Sequence, residues 1–392
     1  MNQTLIPLKH VATITLGKML QNNASSLQDV ELPYVRAASI GQDGKLRYDE
    51  AKTMWFKPNE VETLSLLKGD VLVVEGGDVG RSIVLSQDEP GWGFQNSINR
   101  VRPFPGNDGR FLQYQIEHLR ACGYLRLICN AVSFHHLTAE KLAAVQVRIP
   151  TSGQQQRIAD YLDIETAKID HLITKQRELI ELLHLRNEAR WHAAFTGFVT
   201  VKTRPLKRLL IKLRRPVLEG SGVVTAFRDG EVTLRSNRRE EGFTFSEAEA
   251  GYQGVTAGDL VFHGLDGFAG AVGISDSDGQ STPVYHVCRL RDDEDNLRFI
   301  AYLLRYLGHS GFLATQAPSV RQRAIDFRNW QTFGQIPLSL PSPDEQQRIV
   351  TELDKYAKEV LTTKTTIESA IELLQERRSA LITAAVTGQI EV

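Results

Sequence analysis

Cysteine is scarce: Cys122, Cys129 and Cys288 are the three in 392 residues, widely spaced and without a Cys-x-x-Cys pair. That excludes a disulfide framework, argues against a zinc site, and reads as buried or free thiols in a reducing cytoplasm. Long apolar runs are missing too; with no stretch of about 18 such residues, no membrane-spanning helix is expected. The first residues, Met1-Asn2-Gln3-Thr4, lack the basic start and apolar core of a secretory signal, so a cytoplasmic protein is expected. A charge excess is absent as well. Lysine and arginine number 46 against 47 acidic residues, a net charge of −1 with a pI near 6.8. Proteins that coat nucleic acid nonspecifically draw affinity from a basic excess, whereas sequence-specific binding through local basic patches stays open. Catalytic signatures are missing in turn: Gly-Lys-[Ser/Thr] after a glycine loop, Gly-x-Ser-x-Gly, His-x-x-x-His, and the Asp/Asn-Pro-Pro-aromatic stretch that amino-methyltransferases use on a flipped base. A chain without catalysis of its own is expected.

A more local absence says more. Glycine and proline are missing from Gln154 to Thr196 and again from Asp344 to Thr387, so nothing breaks a helix over either stretch. The two stretches are also copies. Gln155-Gln156-Arg157-Ile158 recurs as Gln346-Gln347-Arg348-Ile349, Leu162-Asp163 as Leu353-Asp354, and Ile180-Glu181-Leu182-Leu183 as Ile371-Glu372-Leu373-Leu374. Arg186 matches Arg377, Ala193-Ala194 matches Ala384-Ala385, and Thr196-Gly197 matches Thr387-Gly388. Over 155–197, 17 of 43 ungapped positions are identical at a shift of 191, against about one in fifteen expected from composition. So long a period excludes a solenoid, whose repeats run to roughly 20–50 residues, and makes each unit domain-sized.

Each copy carries a seam at alternating steps of four and three. The first runs through Ile158, Leu162, Glu165, Ile169, Leu172, Gln176, Leu179, Leu183 and Arg186; the second through Ile349, Leu353, Tyr356, Val360, Thr363, Ile367, Ala370, Leu374 and Arg377. Pro150 precedes the first, Pro341 and Pro343 lead the second, and Gly197 and Gly388 close them, as helix boundaries should. About 40 residues make a rod of about 60 Å. A rod this long and amphipathic needs a partner, and pairing of the two copies is favoured over two helices each lying on its own domain. If the halves are related by a pseudo-twofold axis, the pair is antiparallel. The apolar seam residues Ile158, Leu162, Ile169, Leu172, Leu183, Ile349, Leu353, Val360, Ile367 and Leu374 are the expected spacer contacts.

The segments ahead of the helices correspond more loosely. Pro7-Leu8-Lys9 resembles Pro205-Leu206-Lys207, Lys68-Gly69-Asp70-Val71 resembles Ala257-Gly258-Asp259-Leu260, and Phe111-Leu112-Gln113-Tyr114 resembles Phe299-Ile300-Ala301-Tyr302. Val71 to Glu75 with Ser82 to Leu85, and Leu260 to His263 with Ala271 to Ile274, read as strands joined by glycine-rich turns. Those turns, 75–80 and 264–270, lack the Gly-Lys-[Ser/Thr] of a phosphate loop and read as hairpins needing φ > 0. Phe111 to Leu119 and Asn296 to Leu307 have helical spacing. The expected fold class is α+β: two similar mixed α/β domains, 1–150 and 199–341, separated by a long antiparallel two-helix coiled coil from 151–198 and 342–392, with a pseudo-twofold internal repeat.

The Pro-x(4)-Gln-Gln-Arg-Ile motif at 150–158 and 341–349, the duplicated Glu-Leu-Leu-x-x-Arg and the Ala-Ala-x-Thr-Gly endings resemble the two conserved helical regions of the specificity (S) subunit of Type I restriction-modification enzymes. Val224 to Arg239 and His263-Gly264-Leu265-Asp266-Gly267 resemble one class of its target recognition domains. The resemblance implies that 1–150 and 199–341 are target recognition domains 1 and 2, each reading half of a bipartite, asymmetric DNA site, while the central and C-terminal helical regions set the gap. It implies double-stranded DNA, two modification subunits and restriction subunits as partners, and no membrane. Cofactors are then held elsewhere, S-adenosylmethionine by the modification subunits and ATP with Mg²⁺ by the restriction subunits, and none by this chain.

Side chains suited to base edges or phosphates are Arg36, Arg47, Arg81, Asn96, Asn99, His135 and His136 in the first half, and Arg235, Arg238, Arg239, His263, Asp266, Gln316, Arg321 and Arg323 in the second. Arg238-Arg239 stand beside Glu240-Glu241 and are open to self-neutralisation. The competing class is a coiled-coil scaffold that organises partner proteins without reading DNA. A DNA-cutting enzyme would need Asp43, Glu50 and Lys52 to converge, a set without counterpart in the second half.

Overall fold

The computed structural model describes residues 5–41, 44–49, 51–129, 136–217, 219–238, 251–317 and 325–392. The chain divides into two compact units, one of Met1–Arg177 with Glu368–Val392, the other of Glu178–Ile367. Among the described residues no helix is long and apolar enough to cross a membrane.

In the first unit an antiparallel four-stranded sheet has the order Ala12–Leu16, Ile98–Pro103, Val71–Val74, Ser82–Val84. Val71–Val74 is apolar at every position because both its faces are covered. Side chains alternate across a strand. Val71 and Val73 accordingly join Phe111 and Leu112 of the helix Gly109–Ala121, while Leu72 and Val74 join Met54, Phe56 and Phe94 from a second sheet. That sheet has the order Lys52–Phe56, Val30–Val35, Gly93–Phe94, and a two-stranded pair, Leu5–Pro7 with Gln146–Arg148, completes the unit.

The second unit repeats the plan. Its four-stranded sheet runs Leu210–Lys212, Tyr285–Leu290, Leu260–His263, Val272–Ile274, each strand in the place of its counterpart. Leu260 and Phe262 pack with Phe299 and Ile300 of the helix Leu297–His309, and Val261 packs on the opposite side with Val224, Val232 and Val287. Lys202–Pro205 pairs with Pro337–Leu340 as Leu5–Pro7 pairs with Gln146–Arg148. Both glycine-rich stretches are hairpin connections, with Gly77, Gly80 and Gly270 at positive φ. The duplicated Gly-Asp is a turn device. Asp70 accepts from Leu67 N (2.9 Å) and holds Arg102 through two bonds of 2.7 Å; Asp259 accepts from Thr256 N (2.8 Å) and holds Arg215.

The copied stretches form helices of 45 residues each, Ser152–Thr196 and Pro343–Thr387. Gly388, at φ +73°, ends the second in the left-handed conformation usual for a helix C-terminus. Within each unit the two helices lie antiparallel. In the first, Ile158 and Leu162 share a core with Ile382 and Ala385, while Arg378 bonds Asp170 (3.0 Å); in the second, Phe195 shares a core with Ile349 and Leu353, while Arg190 stacks on Tyr356 at 4.7 Å. The apolar seam differs from expectation at Leu172 and at Leu179, the latter 42% exposed. Leu172 is 49% exposed, and Ile173 is buried in its place, as Thr166 is in place of Glu165. The helix here packs on its own globular domain as well as on the other helix, so the buried stripe follows the 3.6-residue turn rather than a strict heptad. Ile158, Leu162, Ile169, Ile349, Leu353 and Ile367 are buried, and Leu183, Val360 and Leu374 are half-buried.

The copied glutamines explain the motif that carries them. Gln155 Oε1 accepts from Asp108 N (2.9 Å) while its Nε2 donates to Pro150 O (3.0 Å); Gln346 Oε1 accepts from Asn296 N (2.9 Å) while its Nε2 donates to Asp295 Oδ1 (2.8 Å) and Pro341 O (3.2 Å). Asp108 and Asn296 are the N-caps of the two domain helices. One buried amide thus ties the start of each long helix to the start of a domain helix, satisfying donors that a helix N-terminus leaves open.

Candidate nucleic-acid interface

In the first unit the candidates gather around the hairpin 75–80. Gly80 N bonds Val74 O (3.0 Å), which closes the turn. Arg81, at its exit, donates to Ala37 O (2.9 Å) and lies 3.4 Å from Asp78 Oδ2. Ala37 follows Arg36, and its N–H reaches Ser97 Oγ (3.1 Å) beside Asn96; Arg47 N bonds Ser39 O (2.8 Å) on the same short helix, Ala37–Ser39. On the other side of the hairpin, Gly76 bridges to exposed His136, whose Nδ1 lies 3.9 Å from Glu75 Oε1. Burial raises the Glu75 carboxyl above its ordinary range, and the neighbouring imidazole opposes the shift. The structure thus brings Arg36, Arg47, Arg81, Asn96 and His136 together through one connected set of loops. Asn99 differs. It sits on the central strand, wholly buried, with Nδ2 on Leu137 O (2.7 Å), and is a structural member here.

In the second unit Arg235, His263 and Asp266 converge on Tyr285. His263 Nδ1 accepts from Leu265 N (3.2 Å) and Asp266 N (2.9 Å), which leaves the ring proton on Nε2. Its ring meets Tyr285 edge-on at 4.6 Å, and burial depresses its pKa, so a neutral imidazole is presented at neutral pH. Burial also raises the Tyr285 phenol; Arg235, which bonds Thr225 Oγ1 (3.3 Å), opposes that shift. Arg238 is neutralised, but by Asp229 (2.8 Å) and Glu231 (3.1 Å), with its guanidinium over Phe227 at 4.3 Å. Gln316, exposed after the short helix Phe312–Thr315, bonds Thr315. His135, Arg239, Arg321, Arg323, Asp43 and Glu50 lie outside the described residues, and Lys52 is exposed at the start of its strand.

Sequence reasoning missed Arg228 and Arg120. Arg228, 69% exposed in the turn of the hairpin 224–234, bonds Asp266 (2.8 Å), and Arg120 bonds Asp78 (2.6 Å). Each ties a cation to an acid of a glycine hairpin. The Phe227-Arg228-Asp229-Gly230 turn was a usable signal for the first; Arg120, on a helix far along the chain, gave none.

Each unit therefore presents a sheet-borne glycine hairpin flanked by guanidinium, imidazole and carboxylate groups, joined in the first unit by the amide of Asn96, side-chain types that meet phosphates and base edges. Residues 4–182 match the family model of the Type I restriction modification DNA specificity domain. That match covers just under half of the chain, and the second half repeats the sheet order of the first. Among solved structures it is similar, with a TM-score of 0.70 and 16% identity over 98% of this chain and 97% of the other, to a chain from work on complex assembly and conformational transition of the type I R-M system. It is also similar to the HsdS subunit from Thermoanaerobacter tengcongensis, with a TM-score of 0.55 and 13% identity over 99% and 97%. No curated protein matches it significantly in sequence.

Proposed function

We propose that this chain is the non-catalytic specificity subunit of a Type I restriction-modification complex and that each unit reads one half of a bipartite, asymmetric DNA site. One observation carries the reading: the two units share a sheet order and a glycine hairpin, yet the side chains around the hairpins differ, Arg36, Arg81 and Asn96 in one and Arg228, Arg235 and His263 in the other. One scaffold with two different sets of base-reading groups suits a site whose halves differ. The paired helices set the gap between half-sites and dock two modification subunits; exposed Leu179, Leu182, Leu185, Leu361 and Leu373 on them support such docking. In this reading S-adenosylmethionine and adenine methylation belong to the modification subunits, ATP and Mg²⁺ to the restriction subunits, and the assembly works in the cytoplasm. Near-neutral charge is tolerable because partner subunits add phosphate contacts.

The test is to express the chain with the modification subunit of its own system and map methylated adenines. A two-part motif with a fixed gap, absent when this chain is omitted, is the expected result. One uninterrupted motif, or none, would sink the reading.

A further inference from the structure

The two units agree in one polar contact more closely than their overall sequence likeness requires. In the first, Asp163 of the long helix accepts from Tyr114 Oη (2.8 Å) and Arg110 Nη1 (2.8 Å), both on the helix Gly109–Ala121. In the second, Asp354 accepts from the Tyr302 hydroxyl and from Arg298 Nε (3.1 Å), both on the helix Leu297–His309. Each tyrosine stands four residues beyond its arginine, one turn along the same helix face, so both reach one carboxylate. Each aspartate stands eight residues beyond its clamping glutamine, Gln155 or Gln346, about two turns further along the long helix. Two attachment points at separate heights prevent a domain helix from pivoting where a single point would allow it. Apolar packing alone is non-directional and tolerates small rotations.

We propose that Tyr114–Asp163–Arg110 and Tyr302–Asp354–Arg298 are positioning latches that fix the angle of each recognition domain on its long helix, and thereby fix the gap at which the two half-sites are read. The inference rests on the proposed reading of a two-part site. These residues touch no base; they act through the domain they hold. Loss of a charge-assisted bond leaves the domain folded on its apolar core but free to rock, which relaxes the required gap without altering the bases read.

Tyr302→Phe and Asp354→Asn, each in the full chain with its modification subunits, test this by methylated-adenine mapping. The expected result is an unchanged pair of half-sites with a roughly tenfold rise in methylation at sites whose gap is one base pair longer or shorter, and a double variant no worse than either single one. Unchanged gap discrimination, or a change in the bases read, overturns the proposal. A DNA-free measurement separates this from the function itself: in a Cys122→Ser background, spin labels at Asp276 and Lys358, both exposed in the second unit, should give one narrow distance distribution that both variants broaden. A distribution as narrow as that of the unaltered latch refutes the latch even where a two-part motif is found. Broadening in the variants, with no two-part motif from the unaltered chain, upholds the mechanical part and overturns the link to the gap.

Discussion

Replacing Gln346 with alanine should cost the second unit about 2–4 kcal/mol, a figure that follows from what the change leaves behind. The carboxamide is wholly buried; its loss orphans Asn296 N–H and removes a donor from Asp295, itself buried. Each unmade bond costs roughly 1–3 kcal/mol. Asp295 keeps Lys202 Nζ at 2.9 Å, which places its share at the lower end. Gln347 is the built-in control, the same residue type one position on, exposed, and bonded to Asn296 Nδ2 (2.8 Å). Gln347→Ala should fall within about 0.5 kcal/mol of the unaltered chain. Urea unfolding followed by tryptophan fluorescence measures both, since Trp191 and Trp330 lie in this unit. In a thermal scan each kcal/mol corresponds to about 2–4 °C for a unit of this size. Equal losses at the two positions would refute the reasoning, because burial is the difference on which it stands.

His286, buried with Nε2 on Phe327 O (2.7 Å) and stacked on Phe333 at 4.9 Å, has its pKa pushed down to about 4 by burial. Its unfolded counterpart titrates near 6.5, so protonation favours unfolding: the contribution is intact above about pH 6.5 and falls away by up to about 3 kcal/mol towards pH 4. His286→Leu should flatten that part of a stability-versus-pH curve, and an unchanged slope would contradict the assignment. Gly109→Ala should destabilise by about 1–3 kcal/mol although alanine is the better helix former, because the new Cβ would lie 2.1 Å from Gly69 O; a stabilised variant in a melting experiment would overturn this. Of the three thiols, exposed Cys122 should react with a disulfide reagent in the native chain, while buried Cys129 and Cys288, both with pKa raised by burial, should react only on unfolding.

The long helices were legible because their evidence is local: an uninterrupted apolar period bounded by proline and glycine, seen twice. The hairpins were legible for the same reason, positive-φ glycines between short apolar runs. The work done by the copied glutamines was not. Gln155 and Gln346 bind backbone N–H groups about 50 residues away, at caps that are Asp108 in one unit and Asn296 in the other, so no shared side chain marks the partner. The slip from Leu172 to Ile173 escaped because a heptad presumes that one partner helix sets the buried stripe, whereas a globular domain packs there too. Among the candidate base readers, residue type was legible and exposure was not. Asn99 and Asn96 look alike in sequence, but one lies on a central strand and the other in a loop.

The first unit takes residues from both flanks of the second, Met1–Arg177 before it and Glu368–Val392 after it. During synthesis, therefore, the earliest part of the chain waits. Its core lacks Ile382, Ala385 and Val386 until all of Glu178–Ile367 has been made, so the unit begun first is finished last. Released chains truncated between Ile367 and Ile382 should show the second unit resistant to protease and the first still cleaved; equal resistance would contradict this order. Between the completion of Ile367 and that of Val386, a cell that makes this chain carries one finished unit joined to one that is not yet complete.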